Sequence, residues 1–445
     1  MGYREEYQRK LVTAEEAVAV VKSGDWVDYS VSLGFPTLLD KALAKRKEEL
    51  REVKIRGYLM LKPIQAVECD PTREHFIYNS WYCSGYERSL CDRGLCNHIP
   101  MVFRNMTEYY KNHLTVNVAM MTVAPMDEHG YFSFSINGAT AKGTLEAADV
   151  VILEINEQLP KVYGGEGEVI HLSEVDMVVE GENEPLIELS SPAATENDQR
   201  IATHIVKEMT DGAVIQLGIG GMPNAVGQMI AKSDLKDLGI HTELLVDAYR
   251  DMYEAGKITN KRKNINRGKG TFGFALGSSA LYEWIRENPG MVSYPVSYMN
   301  APEVIGQLDN FISINSCISV DLYGQICAES AGTRHISGTG GQLDFLTGGF
   351  MSKGGKSFIC MESTFKDKEG KLKSRFLPTF SGGDIVTDPR SQSFYLVTEQ
   401  GIANLAGTTS WERAEKLISL AHPEHRDDLI AAAEKQKIWL RSNKR

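Results

Sequence analysis

The sequence contains no run of apolar residues that approaches the roughly 20 needed to cross a bilayer as a helix. The first residues, Met1–Glu6, include no apolar signal region. We therefore expect neither a membrane protein nor an exported one, and we predict a cytoplasmic location.

The sequence also lacks an excess of basic residues. It has 48 Lys and Arg against 59 Asp and Glu, and a formal net charge of −11. Such a chain offers no basic stripe to bind phosphates along a duplex, so we predict no nucleic-acid partner. An apolar content of 42% and a charged content of 24% are typical of a globular protein.

Cysteine is sparse, with seven residues in the whole chain. Cys83, Cys91 and Cys96 lie near one another in the sequence, but their spacings of eight and five match no Cys-x-x-Cys zinc pattern. We interpret the cysteines as reduced thiols and predict no metal site. Metal binding is the minor alternative.

The chain is too long for one ordinary core, and its two halves follow a common plan. Each half has a helix that begins at a threonine, then a strand, a turn ending in Gly-x-Pro, a second helix and a second strand. Strands that alternate with helices predict an α/β fold with open, largely parallel sheets. In the first half the features that open this plan are Thr13–Glu16, Trp26–Val31 and Gly34–Pro36, and in the second half they are Thr195–Asp198, Ala213–Leu217 and Gly221–Pro223.

Later segments repeat as well. Asn117–Pro125 resembles Phe311–Ser319, and Val150–Leu153 resembles Ser357–Cys360. A polar, proline-containing stretch, Gly181–Ala193, separates the halves. We predict an N-terminal domain over 1–190 and a C-terminal domain over 191–445, with a ligand site between them.

A glycine-rich turn follows the strand Ala213–Leu217 and reads Gly218-Ile219-Gly220-Gly221-Met222-Pro223-Asn224-Ala225-Val226. Pro223 stands where a dinucleotide fingerprint requires its third glycine, which disfavours a Rossmann oxidoreductase. Amides exposed at a helix N-terminus suit an anion or a carbonyl oxygen. A tight connection without a ligand is an equal alternative.

Glu243 lies in the apolar strand Gly239–Leu245. Alternation places His241, Glu243 and Leu245 on one face of that strand. An acid in a strand usually points to solvent. The alternative is a carboxylate that is partly desolvated because it reacts as a nucleophile beside a backbone-lined cradle.

Two further segments are glycine-rich. The segment His335–Phe345 contains Gly338, Gly340 and Gly341, which bring bare backbone amides close to any bound group, although a flexible connection is an alternative. The tract Lys353–Lys356 is interpreted either as a phosphate contact or as a surface turn.

Together these segments resemble the family I coenzyme A transferases, in the acetyl-CoA hydrolase/transferase branch. The resemblance covers nearly the whole chain. The motifs that carry it are Ala124–Tyr131, Gln216–Val226, His241–Glu243, Ile336–Phe345, Val397–Gly401 and Trp411–Pro423.

The resemblance implies two similar α/β domains of the NagB/RpiA-like CoA-transferase fold with the active site between them. It implies that Glu243 is the catalytic glutamate, that Asn300 lies beside it, and that Gly341 and Val226 supply amides to two oxyanion holes. The candidate residues for binding CoA or substrate are Gly218, Gly220, Gly221, Met222, Pro223, Asn224, Val226, Gly338, Gly340 and Lys356.

The implied reaction moves CoA from a short-chain acyl-CoA, butyryl-CoA above all, to acetate through a covalent glutamyl-CoA thioester. The resemblance implies no cofactor beyond the CoA substrate, no metal, and a homodimer or homotetramer. An acyl-CoA hydrolase and a 4-hydroxybutyrate or propionate CoA-transferase are the near alternatives. A non-catalytic ligand-binding protein is the alternative from another class.

Overall fold

The computed structural model describes residues 2–189 and 192–444. Its contacts divide the chain into two compact units: Met1–Leu189 with Thr271–Met299, and Ser190–Gly270 with Asn300–Arg445. Of the predicted linker, Ser190 and Ser191 lie outside the described residues. No feature of the sequence indicated that Thr271–Met299 returns to the first unit.

The α-helices follow the chain in order and are named from α1. None among the described residues is both long and apolar enough to cross a membrane. They are α1 Tyr3–Lys10, α2 Ala14–Val18, α3 Thr37–Lys45, α4 Gln65–Glu68, α5 Gly85–Asp92, α6 Met106–Asn112, α7 Gly138–Glu146, α8 Glu196–Lys207, α9 Gly221–Lys232, α10 Asp247–Glu254, α11 Ser279–Ile285, α12 Val296–Met299, α13 Pro302–Ile305, α14 Gln342–Met351, α15 Ser410–Leu420 and α16 Pro423–Lys435. Short 3₁₀ turns span Ser32–Gly34, Lys47–Glu49, Phe103–Asn105, Ser135–Asn137 and Leu172–Glu174.

The strands are named in the same way. They are β1 Trp26–Val31, β2 Val53–Tyr58, β3 Phe76–Ser80, β4 Cys96–His98, β5 Val116–Val123, β6 Tyr131–Ser133, β7 Ala148–Ile155, β8 Tyr163–Gly164, β9 Val169–His171, β10 Met177–Glu180, β11 Val214–Leu217, β12 Gly239–Leu245, β13 Gly270–Ala275, β14 Met291–Ser293, β15 Phe311–Ser316, β16 Ser319–Asp321, β17 Ile326–Cys327, β18 Ser330–Ala331, β19 Arg334–His335, β20 Lys356–Cys360, β21 Thr364–Lys366, β22 Leu372–Ser374, β23 Phe376–Leu377, β24 Tyr395–Thr398 and β25 Gly401–Asn404.

The first unit is built on a parallel sheet with the strand order β10-β7-β5-β1-β2-β3-β4. Helices α2, α3 and α4 cover one side, where Leu39, Ile55 and Phe76 belong to a continuous apolar core. The predicted capping box starts α2: Thr13 Oγ1 accepts from the Glu16 amide at 3.2 Å, and the Glu16 carboxylate accepts from the Thr13 amide at 2.9 Å.

The second unit contains the strand order β25-β24-β20-β15-β11-β12. All neighbours are parallel except β24 and β25, which form an antiparallel edge. Its largest apolar core lies where α15 and α16 pack, and includes Leu346, Leu396 and Leu417. The predicted α/β class with largely parallel sheets is confirmed.

The repeat seen in the sequence is also present in the sheets. In the first unit β1 lies between β5 and β2, and in the second β11 lies between β15 and β12. In both units the chain therefore builds one side of the sheet first and then crosses to the other. The carboxyl ends of the strands at such a crossing point are where α/β proteins commonly bind ligands.

Candidate active site

The strand β12 carries Glu243 to the carboxyl edge of the second unit's sheet. Strands β11 and β12 are paired Val214 to Gly239 and Ile215 to Ile240. Glu243 lies three residues beyond the last of these pairs, toward the carboxyl end of β12. The Glu243 side chain is partly exposed. The acid therefore lies at an accessible strand end rather than in the apolar core.

The neighbours of Glu243 on the strand are structural. Thr242 is buried, and its hydroxyl donates to the Leu244 carbonyl at 2.9 Å. His241 is buried and packs edge-on against Phe311, with ring centroids 6.0 Å apart. These contacts fix the end of β12, so the carboxylate is presented from a rigid support.

Asn300 is the hydrogen-bond partner of the Glu243 carboxylate. It is fully buried just before α13, and its Nδ2 donates to Glu243 Oε2 at 2.6 Å and to Asp344 Oδ2 at 3.3 Å. Its Oδ1 is buried without a hydrogen-bond partner among the described residues. The structure therefore brings Asn300 and Glu243 together, as the resemblance implied.

Gly341, which directly precedes α14, lies against both Glu243 and Asn300. A β-carbon at this position would lie 2.0 Å from Glu243 Oε2 and 2.2 Å from Asn300 Nδ2. Any residue other than glycine would displace one of those side chains. The Gly341 backbone therefore lies closer to the Glu243 carboxylate than a residue with a side chain would allow.

The loop before Gly341 is anchored to the segment around Glu329. The Ile336 amide donates to the Glu329 carbonyl at 2.8 Å, and the Thr339 hydroxyl donates to the Glu329 carboxylate at 3.2 Å. Gly340 has a φ of +55°, a conformation that glycine adopts without strain. Gly338 is buried within the same loop. The loop is thus a fixed connection rather than a flexible one.

Close packing of α13 and α14 holds Asn300 near Gly341. A β-carbon at Gly348 of α14 would lie 2.5 Å from Cβ of Ile305 in α13, so glycine lets the two helices approach closely. Because Asn300 lies two residues before α13 and Gly341 immediately precedes α14, this approach brings both residues to the carboxylate.

The N-terminal end of α14 is electrostatically favourable for a negatively charged group. In a regular helix the first amides have no carbonyl partner in the preceding turn, which here applies to Gln342 and Leu343. Those donors and the positive end of the helix suit an anionic oxygen beside Gly341. The arrangement can stabilise a carbonyl oxygen that gains charge.

The acid–base properties of Glu243 reflect this environment. Burial raises the pKa of Glu243, the Asn300 hydrogen bond lowers it, and the nearby Asp344 carboxylate raises it to a smaller extent, with a net pKa of about 7. The carboxyl group therefore titrates close to neutral pH, which is typical of groups that take part in catalysis.

Two acids of this region did not stand out from the sequence. Asp344 is fully buried in the first turn of α14. Asp388 is also fully buried and accepts from Gln342 Nε2 at 2.6 Å, and burial raises its pKa to about 7. Asp344 lies inside the Ile336–Phe345 motif, which was the available signal; Asp388 lies outside all quoted motifs.

The glycine turn at Gly218 forms the start of α9. Gly220 is the N-cap with a φ of +127°, and the Gly218 amide donates to the Ile314 carbonyl at 3.3 Å. A β-carbon at Gly221 would lie 2.9 Å from Asp198 Oδ2. Of the residues in the first turn, Gly221 and Met222 have free amides and Pro223 has none.

Two predicted binding residues of this turn use their backbone amides within α9. Val226 is fully buried in the second turn of α9, where regular helical geometry uses its amide for the helix itself, so the expected oxyanion donor is not available. Asn224 likewise donates its amide to the Gly220 carbonyl at 3.2 Å.

Lys356 begins β20, at the edge of the sheet opposite the Glu243 end, because β20 runs parallel to its neighbours. Its Nζ contacts the Glu208 carboxylate at 2.7 Å. The structure does not bring Lys356 to the cluster, and the predicted phosphate contact is not supported.

Comparison with known proteins agrees with this geometry. The acetyl-CoA hydrolase/transferase N-terminal domain matches residues 1–188, and the acetyl-CoA hydrolase/transferase C-terminal domain matches residues 277–433. The chain belongs to the acetyl-CoA hydrolase/transferase family. The predicted family is confirmed.

Two relatives match the chain over essentially its full length. It is 52% identical to a butyryl-CoA:acetate CoA-transferase of Anaerostipes caccae, with 100% of both chains covered. It is 50% identical to a probable butyrate:acetyl-CoA coenzyme A-transferase of Syntrophomonas wolfei, covering 99% of this chain and 98% of that protein.

Two solved structures share the fold. RipA from Yersinia pestis is 35% identical, with a TM-score of 0.90 and coverage of 98% of this chain and 100% of that one. A 4-hydroxybutyrate CoA-transferase from Porphyromonas gingivalis is 31% identical, with a TM-score of 0.79 and the same coverage.

Proposed function

We propose that this protein transfers CoA from a short-chain acyl-CoA, with butyryl-CoA as the principal substrate, to acetate through a covalent intermediate on Glu243. The observation that supports it most directly is the Glu243–Asn300 hydrogen bond of 2.6 Å, set against the bare backbone of Gly341. A nucleophile, a polar partner and a helix start meet at one point.

In the first half of the reaction, a Glu243 carboxylate oxygen attacks the thioester carbonyl carbon. The carbon–sulfur bond breaks, which gives an acyl–glutamyl anhydride and the CoA thiolate. The thiolate then attacks the glutamyl carbonyl, and the anhydride breaks to release the first carboxylate. The enzyme now carries CoA as a glutamyl thioester.

In the second half, acetate attacks the glutamyl thioester and the same steps run in reverse. Each attack places negative charge on a carbonyl oxygen beside Glu243. The amides that begin α14 at Gly341 suit that oxygen, and losing one such donor typically costs about 3–4 kcal/mol of transition-state stabilisation.

The choice of substrate rests on the relatives. The two at 52% and 50% identity over the full length are named for CoA transfer between butyryl-CoA and acetate. An apolar pocket separates neighbouring chain lengths by only about 1–3 kcal/mol per methylene, so propionyl-CoA should also react, more slowly.

The covalent intermediate provides the decisive test. The enzyme is incubated with butyryl-CoA without acceptor, digested, and examined by mass spectrometry. The peptide containing Glu243 should gain the mass of CoA less one water, and hydroxylamine should displace the CoA and leave a hydroxamate on Glu243. Glu243→Gln should show no adduct. A wild-type peptide that stays unmodified, in a preparation that transfers CoA once acetate is added, would contradict the proposal.

An acyl-CoA hydrolase uses the same residues and is the second candidate, because the matching family includes both activities by name. Release of CoA from butyryl-CoA is measured with and without acetate, together with formation of acetyl-CoA. A transferase should form acetyl-CoA and release little free CoA. Free CoA that accumulates at a rate acetate does not change would favour the hydrolase.

A further inference from the structure

A cluster of cysteines in the first unit lies outside the catalytic machinery. Cys83 follows β3, Cys91 lies on α5, and Cys96 begins β4. Their three sulfur atoms lie within 4.8 Å of one another, and Cys83 Sγ and Cys91 Sγ are 3.8 Å apart. None of the three forms a disulfide. Three elements that are separate in the sequence thus converge on one point.

A nitrogen ligand lies near one of the three thiols. A ring nitrogen of His98 lies within 4.8 Å of Cys83 Sγ. His98 and Cys96 are two residues apart on β4, and side chains at that spacing point to the same face of a strand. Three sulfurs form the cluster, and the His98 imidazole beside Cys83 is the candidate for the fourth ligand of a structural zinc site.

We propose that Cys83, Cys91 and Cys96 bind a structural Zn²⁺ ion and that His98, which lies beside Cys83, turns toward the ion as the fourth ligand. A tetrahedral ion with Zn–S bonds of about 2.3 Å holds its sulfur ligands about 3.8 Å apart. The Cys83–Cys91 separation of 3.8 Å already has that value. A disulfide would need the two sulfurs about 2.05 Å apart.

The ligands are held by ordered backbone rather than by a loose loop. Ser84 is the N-cap of α5 and forms a capping box with Glu87, and its hydroxyl also donates to the Met60 carbonyl at 2.6 Å. The register between β3 and β4 pairs Tyr78 with Cys96 and Ser80 with His98. Because the backbone around these ligands is already ordered, little conformational entropy is lost when the ion binds.

The chemistry of the cluster also favours a cation. Three thiols this close oppose one another's ionisation, and a divalent ion reverses that effect. On binding, Zn²⁺ replaces the three thiol protons, which pass to solvent, and the site carries one net negative charge.

The sequence did not predict this site because its spacings match no zinc knuckle. That rule describes ligands from one tight turn. Here the ligands come from a strand end, a helix and the next strand, so their separation along the chain reports only the length of the intervening elements.

The test measures metal in the full chain, purified anaerobically from zinc-supplemented cells without chelators. Elemental analysis should find about one zinc per chain in the wild type. Cys91→Ser and Cys96→Ser should retain about one-tenth of that or less. Cys69→Ser is the matched control, a partly buried cysteine of the same unit outside the cluster, and should retain the full amount. Glu243→Gln should also keep its zinc, so this test is independent of the proposed reaction.

Two measurements on the wild type keep the test decisive if a variant folds poorly. Cobalt(II) in place of zinc should give a sulfur-to-cobalt charge-transfer band and the intense visible bands of a tetrahedral site. A thiol-specific mercurial should release zinc in proportion to the cluster thiols that react. A wild type that holds no more zinc than Cys91→Ser, an iron content in place of zinc, or a Cys83–Cys91 disulfide in the anaerobic protein would overturn the proposal.

Discussion

Glu243 combines two demands that oppose each other in an ordinary carboxylate. It must attack a thioester and then be displaced as a leaving group. Partial burial and the Asp344 charge raise its pKa to about 7, which strengthens the carboxylate as a nucleophile, while the Asn300 hydrogen bond stabilises the charged form. Near neutral pH, Glu243 can therefore act both as a nucleophile and as a leaving group.

The pH profile of the reaction follows from this balance. Only ionised Glu243 can attack, so kcat/KM for butyryl-CoA should rise as the pH increases through about 7. Asp344→Asn removes a charge that raises the Glu243 pKa, so the midpoint should move to lower pH. Stopped assays across the pH range measure both profiles. A midpoint that stays unchanged in Asp344→Asn would contradict the assigned cause.

Gly341→Ala should reduce kcat sharply. The new methyl group would fall 2.0 Å from Glu243 Oε2, so the carboxylate must move, and a misplacement of that size costs about 100-fold in rate. Gly382→Ala is the matched control, since a β-carbon there meets nothing within 4 Å. Thermal unfolding of both variants should remain close to wild type. Equal activities for the two variants would show that the close approach does not matter.

Asn300→Ala should lower kcat by about 10- to 100-fold, because a hydrogen bond to a charged group contributes about 1.5–3 kcal/mol. The change also removes an influence that lowers the Glu243 pKa, so the activity midpoint should rise in pH. Steady-state kinetics at several pH values separate these effects. A loss confined to stability, with kcat and its pH midpoint intact, would assign Asn300 a structural role only.

At the scale of elements, adjacent strands of the first unit share a buried ion pair. Asp28 on β1 stands directly across from Arg56 on β2, and the closest contact between their charged atoms is 2.6 Å. Both side chains are almost fully buried, and Tyr110 donates to Asp28 at 2.7 Å. The pair fixes which residues of the two strands face one another.

Arg56→Met should destabilise the protein by about 3–5 kcal/mol, because it leaves the Asp28 carboxylate buried without its partner. The double variant Asp28→Leu/Arg56→Met should recover much of that loss, since a well-packed apolar pair of similar volume is often tolerated. Chemical denaturation of the single and double variants provides the comparison. If the double variant were no more stable than Arg56→Met, the cost would not arise from the unpaired charge.

Much of this architecture could be predicted because its signals are local. The capping box at Thr13, the glycine turn at Gly218 and the alternation along Gly239–Leu245 each reflect a few neighbouring residues. Lys356 shows the limit: its tract resembles a phosphate loop, but the strand direction that moves it away from Glu243 is set by distant pairings. Asp388 was missed for the same reason, since only the fold brings it near α14.

At the scale of the whole molecule, the repeat supplies one scaffold in two copies, and the second copy carries the reactive acid on β12. In the first unit the register pairs Val31 with Tyr58 at the ends of β1 and β2, which correspond to β11 and β12 of the second unit. Tyr58 is buried, and its hydroxyl is 2.8 Å from Thr140 Oγ1. The first unit therefore uses this end of its sheet for packing, whereas the second unit carries the proposed catalytic Glu243 on the corresponding strand.

Stability should also depend on pH across the whole chain. Burial raises the pKa of four carboxyl groups to about 7, those of Asp40, Glu154, Glu243 and Asp388. The folded protein then binds more protons than the unfolded chain between the ordinary carboxyl pKa and about 7. The stabilisation that these four groups contribute is fully present at the acid end of that window and is lost as the pH rises through it.

The thermal midpoint should therefore fall between about pH 5.5 and about pH 7.5. His204 and Lys263, whose pKa values burial lowers, oppose this trend but are outnumbered by the four acids. Glu154→Gln should flatten the slope by removing one of the four acids. Calorimetry at constant ionic strength measures both proteins. A midpoint that rises over this interval would show that the buried acids do not govern the dependence.

Glu243, Asn300 and Gly341 come from three segments that meet only when β12, α13 and α14 are all in place. A partly folded second unit can hold helices and strands and still present no reactive constellation. Turnover of acyl-CoA is consequently a sensitive gauge of refolding: regained helical content should precede regained catalysis, and the delay between them measures how long the last elements take to dock.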